Sequence, residues 1–544
     1  MTIKYEILKL LKKENIPENL LQETPNPNMG DFALPCFTLS KNPVEKAKEL
    51  QTKFEHKYLE KVQALGPYLN FYIKKDVYNK EIIEYKIKEK NNNKTIVLDF
   101  SQPNIMKPFN IAHLRSTMIG NSIYNILKFE GYKVIRVNHL GDWGTQFGKM
   151  MYAYESWGNK EDLMKDPMHY MTDLYVRFHS EAEKEPYLED KGREWFAKLE
   201  RGDKKAKAYW ELFSKLSLQY YHKTYKRLKV DFDSWAGEAF YEPMLNETIK
   251  ILQDKGLVEE SEGALIVNLD QYNMAPCIIR KSDGSTIYAT RDLAAAMYRA
   301  KEYNFYKNLY VVDVRQSLHF QQFFKVLELV GFSWAKDCIH IPFGTMKFKD
   351  GVMSTRKGLI IFLEDVLDKS VDSVKTIIEE KNPKLKNKAK VAEQIGIGAV
   401  IFWDLSHDRV LDINFDWDNV LEFTGETGPY VQYTYARAAS IIRKNDNSSK
   451  PDYSKLITTE ELELIKDLSL FEEYVSKASQ QYKPSIVAKY LIKLCQDFNI
   501  FYQKCHCNIE DKALSRARLN LVQKTKDTIK TSLSLLSMEA PEEM

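Results

Sequence analysis

Three short apolar runs decide what this chain can build. TIVLDF (95–100), YKVIRVNHL (132–140) and NLYVVDV (308–314) are dense in β-branched and aromatic residues and are separated by segments with helical spacing. Parallel strands need crossover connections, so strands alternating with helices predict an α/β fold, a parallel sheet with helices on its faces. Ligands on such sheets sit beyond the carboxyl ends of the strands. The turns after these runs are therefore where chemistry is to be sought.

The first of those turns reads KPFNIAHLRST (107–117). It carries Lys107, Asn110 and His113 at three-residue spacing, with Pro108 stiffening the backbone. It opens a helix whose N–H groups and positive dipole end suit a phosphate. Taken alone, it reads equally as a buried turn with a satisfied histidine. After the second run, NHLGDWGTQFG (138–148) sets Gly141 and Gly144 around Asp142 and Trp143 in a tight turn. In IYATRDLAAA (287–296), Tyr288 and Asp292 lie four apart. They share a face if the helix begins at Tyr288, and crowd its entrance if Thr290 is the cap.

A chain of 544 residues that is 44% hydrophobic is too long for one core, so two or three domains are expected. Residues 1–90 mix helix and strand signals and include LGPYLNFYI (65–73), a sheet strand, which predicts a small α+β N-terminal domain. The Lys- and Asn-rich stretches IKEKNNNK (87–94) and KNPKLKNKAK (381–390) read as linkers around an α/β domain at 91–385. A helical insertion is expected within it at about 151–228, and an all-α helical bundle at 386–544.

Lys and Arg number 79 against 76 acids, a net of +3, which neither demands nor excludes RNA. The amino terminus lacks the unbroken apolar stretch of a signal peptide, and no segment is long enough to span a membrane, so no membrane partner is expected. Cys505 and Cys507 around His506 match no common zinc pattern, and the six cysteines read as reduced thiols of a cytoplasmic protein.

Read together, FSQPNIMKPFNIAHLRST, NHLGDWGTQFG, KSDGSTIYATRDLAAA, GVMSTRKG and FTGETGPYVQYTYAR, with the ending MEAPEEM, resemble the arginyl-tRNA synthetases, class I aminoacyl-tRNA synthetases, in this order over nearly the whole chain. The resemblance implies a Rossmann-like catalytic domain, an N-terminal domain that meets the D-loop of tRNA and a C-terminal domain that binds the anticodon. It implies arginine, ATP and arginine tRNA as substrates, magnesium with the ATP, no zinc and a monomer.

The class signature His-x-Gly-His stands here as Asn110-Ile111-Ala112-His113, and Lys-Met-Ser-Lys-Ser as Val352-Met353-Ser354-Thr355-Arg356 followed by Lys357. Both signature lysines are absent from their usual places. In family members with the same loss, a lysine just before the first signature supplies the missing charge, and Lys107 holds that position. The resemblance thus gives catalysis to Lys107, Asn110, His113, Ser354, Arg356 and Lys357. It gives ATP to Asn110, His113, Met353 and the His340 and Gly344 of HIPFG.

Selecting a guanidinium calls for carboxylates placed for forked hydrogen bonds and an aromatic face. The resemblance supplies Asp99, where the family usually has Glu, with Asn104, Glu238, Tyr288, Asp292 and Gln316. His139 and Asp142 are their neighbours. For tRNA it supplies Asn70 at the D-loop, and Tyr430, Tyr433, Tyr502 and Met544 at the anticodon, where exposed rings stack on bases. Two alternatives remain: a catalytically weakened, synthetase-like tRNA-binding or regulatory protein, suggested by Asn110 and the lost lysines, and a nucleotidyltransferase sharing only the first signature.

Overall fold

The structure, a computed structural model, describes residues 3–24, 29–348 and 362–544. Met353, Ser354, Arg356 and Lys357 lie outside the described residues. Among the described residues no helix is long and apolar enough to cross a membrane.

The first unit contains α1 (Ile3–Lys13), β1 (Gln22–Glu23), β2 (Phe32–Pro35), α2 (Pro43–Gln51), β3 (Leu59–Leu65), β4 (Tyr68–Ile73) and α3 (Lys75–Glu84). Its antiparallel sheet has the order β1-β2-β4-β3. Asn42 caps α2, accepting from the Glu45 N–H, and Pro43 preorganises the first turn. On β4, Leu69 and Phe71 enter the core, yet Asn70 between them is also buried. Gly30 covers that second face: a Cβ there would lie 3.4 Å from the Asn70 Cβ. Asn70, expected to meet RNA, is 2% exposed.

The central sheet holds β5 (Thr95–Asp99), β6 (Lys133–Val137), β10 (Lys307–Asp313) and β11 (Cys338–Phe343) in the order β11-β10-β5-β6, with every pair parallel. Strand β5 is followed by β6 on one side, and β10 beside it is followed by β11 on the other. On such sheets ligands bind in the crevice at this reversal, beyond the carboxyl ends of β5 and β10. Helix α4 (Ile111–Phe129) follows β5. Its Gly120 is needed for the packing, because a Cβ there would lie 2.2 Å from the Phe100 ring.

Between β6 and β10 come the helices α5 (Thr145–Trp157), α6 (Lys160–Lys165), α7 (Pro167–Lys184), α8 (Tyr187–Glu200) and α9 (Lys204–Leu228). Then follow α10 (Glu238–Tyr241), α11 (Leu245–Asp254), the small antiparallel sheet of β7 (Val258–Ser261), β8 (Ala264–Val267) and β9 (Cys277–Arg280), and α12 (Tyr288–Tyr303). Helix α13 (Ser317–Val330) follows β10. Beyond β11, β12 (Met346–Phe348) pairs in parallel with β13 (Ile413–Phe415) across α14 (Leu363–Lys381) and α15 (Lys388–Ser406).

The chain continues through α16 (Trp417–Val420), α17 (Gly428–Lys444), α18 (Thr459–Gln481), α19 (Pro484–Lys504) and α20 (Lys512–Leu535). Thr458 and Glu461 form a reciprocal capping box at the start of α18, and Thr427 caps α17. The bundle is tied to the first unit through the buried Asn79, whose amide donates to the carbonyls of Tyr453 and Leu456 at 3.2 and 3.1 Å.

Candidate functional site

The first wall of the crevice is the turn that opens α4. Asn110 has extended backbone, and its Oδ1 accepts from the N–H groups of Ala112 and His113 at 3.0 and 3.3 Å. In return His113 Nδ1 accepts from the Asn110 N–H at 3.1 Å, a capping box with histidine in the usual Glu or Gln place. The cap therefore occupies two N–H groups that the sequence had offered to a phosphate. The Asn110 side-chain NH₂ and the His113 Nε2 have no partner among the described residues, and these become the donors.

Burial, then the nearby Lys107 charge, pushes the His113 imidazole down to about 4, so at neutral pH it is uncharged. Because Nδ1 accepts, the single ring proton sits on Nε2. The ring packs on Phe109, centroids 5.1 Å apart. Lys107 is half-buried with no acidic partner among the described residues, its Nζ 5.9 Å from the Tyr175 ring, and burial lowers its pKa. The Tyr221 hydroxyl, in reach of the carbonyls of Asn104 and Lys107 at 2.6 and 2.7 Å, holds the turn from α9.

Two residues after His113, Arg115 turns inward and is fully buried. Its guanidinium donates to the carbonyls of Gly344, Thr345, Leu411 and Arg409 at 2.7 to 3.2 Å and pairs with the buried Asp404 of α15 at 3.1 Å. One side chain thus fastens α4 to the corner between β11 and β12, from which the chain runs toward the second signature. Gly344 is required there, since a Cβ would lie 2.6 Å from Leu411 backbone atoms. His340, expected at ATP, has its Nε2 3.0 Å from the Val312 carbonyl and its ring on Phe320 at 4.3 Å.

The opposite wall carries acids. Asp99, at the end of β5, is paired with the buried Arg299 of α12 at 2.7 Å, accepts from Gln102 on its other oxygen, and is 3% exposed. The carboxylate expected at the guanidinium is thus engaged with Arg299 and Gln102. Asn104 bridges to Gly141. Glu238, at the first residue of α10, is 7% exposed, and burial with the charges of Asp292 and Asp142 pushes it up to about 8 against the pull of Arg291. Asp142 is raised to about 6 by burial, although its Oδ1 accepts the Ala239 N–H at 2.8 Å.

Helix α12 begins at Tyr288, with no side-chain cap; the Thr290 hydroxyl donates instead to the Ile279 carbonyl, tying the helix to β9. Tyr288 is 68% exposed at the rim and Gln316 stands exposed on the turn after β10. Asp292 lies one turn deeper, against His319 of α13 at 2.6 Å.

A separate cavity of about 880 Å³ opens in the bundle, lined by Lys384, Lys386, Tyr433, Arg437, Tyr502 and Met544, among others. Tyr433 and Tyr502 are 40% and 44% exposed, and the Arg437 guanidinium lies 4.8 and 5.1 Å from their ring centroids. The Asn382 amide holds the Met544 backbone oxygen at 3.1 Å. Tyr430 does not line this cavity. Its half-buried ring packs among the helices and its hydroxyl accepts from Asn499 at 3.0 Å.

Comparison with known proteins decides the family. Residues 77–417 match the catalytic domain of class I (R) tRNA synthetases, 431–544 the DALR anticodon binding domain, and 1–73 the arginyl tRNA synthetase N-terminal domain. The chain belongs to the arginyl-tRNA synthetase family. It is 49% identical to the arginine–tRNA ligase of Clostridium perfringens strain 13, covering 98% of this chain and 97% of that protein. It is 46% identical to that of Halothermothrix orenii, over 97% and 96%. The solved arginyl-tRNA synthetase of Thermus thermophilus superposes with a TM-score of 0.85 at 25% identity, covering 100% of this chain and 99% of that one.

Three residues that sequence reasoning passed over are as deeply engaged as any it singled out: Arg115, Arg299 and His319. Arg115 left a signal, a cation inside the apolar helix of the first signature, because a buried guanidinium requires partners. Arg299 and His319 left none beyond lying on α12 and α13 near assigned residues.

Proposed function

We propose that the chain is an ATP-dependent arginine–tRNA ligase, which activates arginine to arginyl-adenylate with release of pyrophosphate and transfers it to the 3′-terminal ribose of arginine tRNA. The observation that carries this is full-length likeness, 46–49% over 97–98% of the chain, to proteins named for that activity. The same likeness favours a ligase over a tRNA-binding protein without catalysis.

In the first step the arginine carboxylate attacks the α-phosphorus of ATP and pyrophosphate leaves. Catalysis is positioning plus electrostatic stabilisation, since the chemistry needs donors aimed at oxygens that gain charge. Lys107 supplies a cation with no acidic partner among the described residues, His113 a neutral Nε2–H donor, and Asn110 its side-chain amide. ATP enters as its magnesium complex, which offsets phosphate charge before these groups act. Arg115 fixes the Gly344 corner relative to α4, the helix that carries the first signature. Asp292, with Glu238 beside it and Tyr288 at the rim, receives the guanidinium. In the second step a ribose hydroxyl attacks the adenylate carbonyl and AMP leaves.

The cavity of Tyr433, Tyr502 and Met544 receives anticodon bases. The protein acts in the cytoplasm as a monomer. ATP–pyrophosphate exchange with each amino acid in turn, with and without total tRNA, tests the reading. Exchange with arginine only is expected. Silence under both conditions, from folded protein that still binds tRNA, would return the non-catalytic alternative.

A further inference from the structure

Asp292 is not a solitary carboxylate waiting for a substrate. Its Oδ2 lies 2.6 Å from Nε2 of His319, which stands in the first turn of α13. The two side chains keep 23% and 24% of their surface open, so the pair lines the crevice wall instead of being sealed behind it. The other cations of this wall are engaged with acids of their own: Arg299 with Asp99 at 2.7 Å and Arg291 with Glu242 at 2.6 Å. Both are guanidinium groups, which do not release their protons in a protein. His319 is different, because an imidazole can give up its charge and keep its hydrogen bond.

The surroundings are mixed in sign. Asp292 feels His139, at the end of β6, and Arg299, and its own charge reaches Glu238 of α10, Tyr288 and Cys277 of β9. His319 faces Asp292 and His340 of β11, with the rings of Phe320 and Phe323 packed beside it at 5.5 and 6.2 Å.

We propose that His319 is a positioning residue for arginine selection, and that its proton and the substrate guanidinium compete for Asp292. This rests on the reading of Asp292 as the guanidinium-binding carboxylate. With His319 neutral, Nε2–H donates to Oδ2 and fixes the carboxylate plane, while the negative charge remains for the incoming cation. With His319 protonated, Asp292 is already neutralised, and a guanidinium meets a like charge. Arginine entry into the protonated pocket therefore expels one proton, from Nδ1 of the imidazolium to solvent, and leaves a neutral imidazole whose Nε2–H still donates to Asp292.

The sign of the pH dependence follows. Against the opposing effect of burial, Asp292 draws the His319 pKa above the ordinary 6.5, so the competing charge is present below that raised pKa. Arginine affinity is full above that pKa and falls as pH drops through it, by at most about tenfold per pH unit for one coupled proton. Citrulline, a urea of the same shape without the charge, escapes the competition.

The test is calorimetric titration of the full-length protein with arginine from pH 6 to pH 8.5, in two buffers of different ionisation enthalpy. The expected result is proton release on arginine binding, a dissociation constant that rises on acidification, and loss of both in His319→Gln. Proton release that persists in His319→Gln and disappears in Glu238→Gln would assign the proton to Glu238 and overturn the proposal. Arginine binding without proton release at any pH would also overturn it while leaving the ligase reading intact. Folded protein that binds no arginine at all would remove both. Histidine NMR on the unsubstituted protein needs no variant: arginine must lower the His319 pKa and citrulline must not, and equal titration curves would refute the competition.

Discussion

Around the crevice at the end of β5 the charges are buried and answer one another, whereas around the C-terminal cavity they stand in water beside exposed rings. In the crevice Arg115, Arg299 and Asp99 are at most 3% exposed and each has an ion-pair partner. In the cavity Tyr433 and Tyr502 keep 40% and 44% of their surface, with Arg437 lying over both. Phosphoryl chemistry requires donors held rigidly in a dry site, where each is worth several times its value in water. Splayed bases require faces that are already accessible. The difference predicts steep losses from substitution in the crevice and shallow, additive ones in the cavity.

Arg115→Ala should break that comparison first. It would leave the Asp404 carboxylate buried without its partner and free four carbonyls, at a cost of about 3–5 kcal/mol. Urea unfolding followed by circular dichroism measures it. A loss below about 1 kcal/mol would mean that water replaces the guanidinium and that the corner is not held as tightly as described.

Lys107→Ala comes next. A half-buried cation with no acidic partner among the described residues contributes little to the fold, so stability should hold while adenylate formation falls by roughly 10² to 10³, the range for removal of one oxyanion donor. Thr355→Lys in that background should recover part of the rate by restoring a lysine to the usual signature place. His113 supplies an independent readout. Its pKa is depressed chiefly by burial and secondarily by Lys107, so in Lys107→Ala it should rise from about 4 yet remain below the ordinary 6.5. Normal pyrophosphate exchange in Lys107→Ala, at saturating tRNA, would falsify the displaced-cation reading.

Asp292→Asn should weaken arginine binding about tenfold or more, the equivalent of a charge-assisted pair at roughly 1.5–3 kcal/mol. Calorimetry with arginine above the His319 pKa reads it without the His319 proton interfering. Unchanged affinity would move guanidinium recognition to Glu238.

These residues also mark what a sequence can disclose. The strand, the turn and the start of α4 follow from local rules: an apolar run, a proline, and an asparagine placed to cap. The sheet's parallel order likewise follows from alternation. What stayed hidden is partnership at long range. Asp99 reads as a free acid until Arg299, two hundred positions later, is laid against it. His340 reads as a ligand until its Nε2 is found on the Val312 carbonyl. Asn70 sits in a strand whose spacing suggests an exposed position, but Gly30 closes over it from another part of the chain. In each case residue type and local period were visible, and the tertiary contact that commits the side chain was not.

The smallest effect is expected in the cavity. Tyr502 lies in the last turn of α19, 44% exposed, with its ring against Arg437. Tyr502→Ala removes a stacking platform worth about 1–3 kcal/mol per base, and leaves Arg437 still lying over Tyr433 at 4.8 Å. The loss should therefore appear in tRNA affinity, and arginine-dependent chemistry at saturating tRNA should be spared. Tyr502→Phe keeps the ring and should bind tRNA nearly as the parent protein does, since stacking uses the π-face and not the hydroxyl. Filter binding of arginine tRNA to the three proteins at one fixed salt concentration separates the possibilities. If Tyr502→Phe lost as much affinity as Tyr502→Ala, the hydroxyl would be reading a base edge, and the cavity would share the crevice's reliance on directed hydrogen bonds.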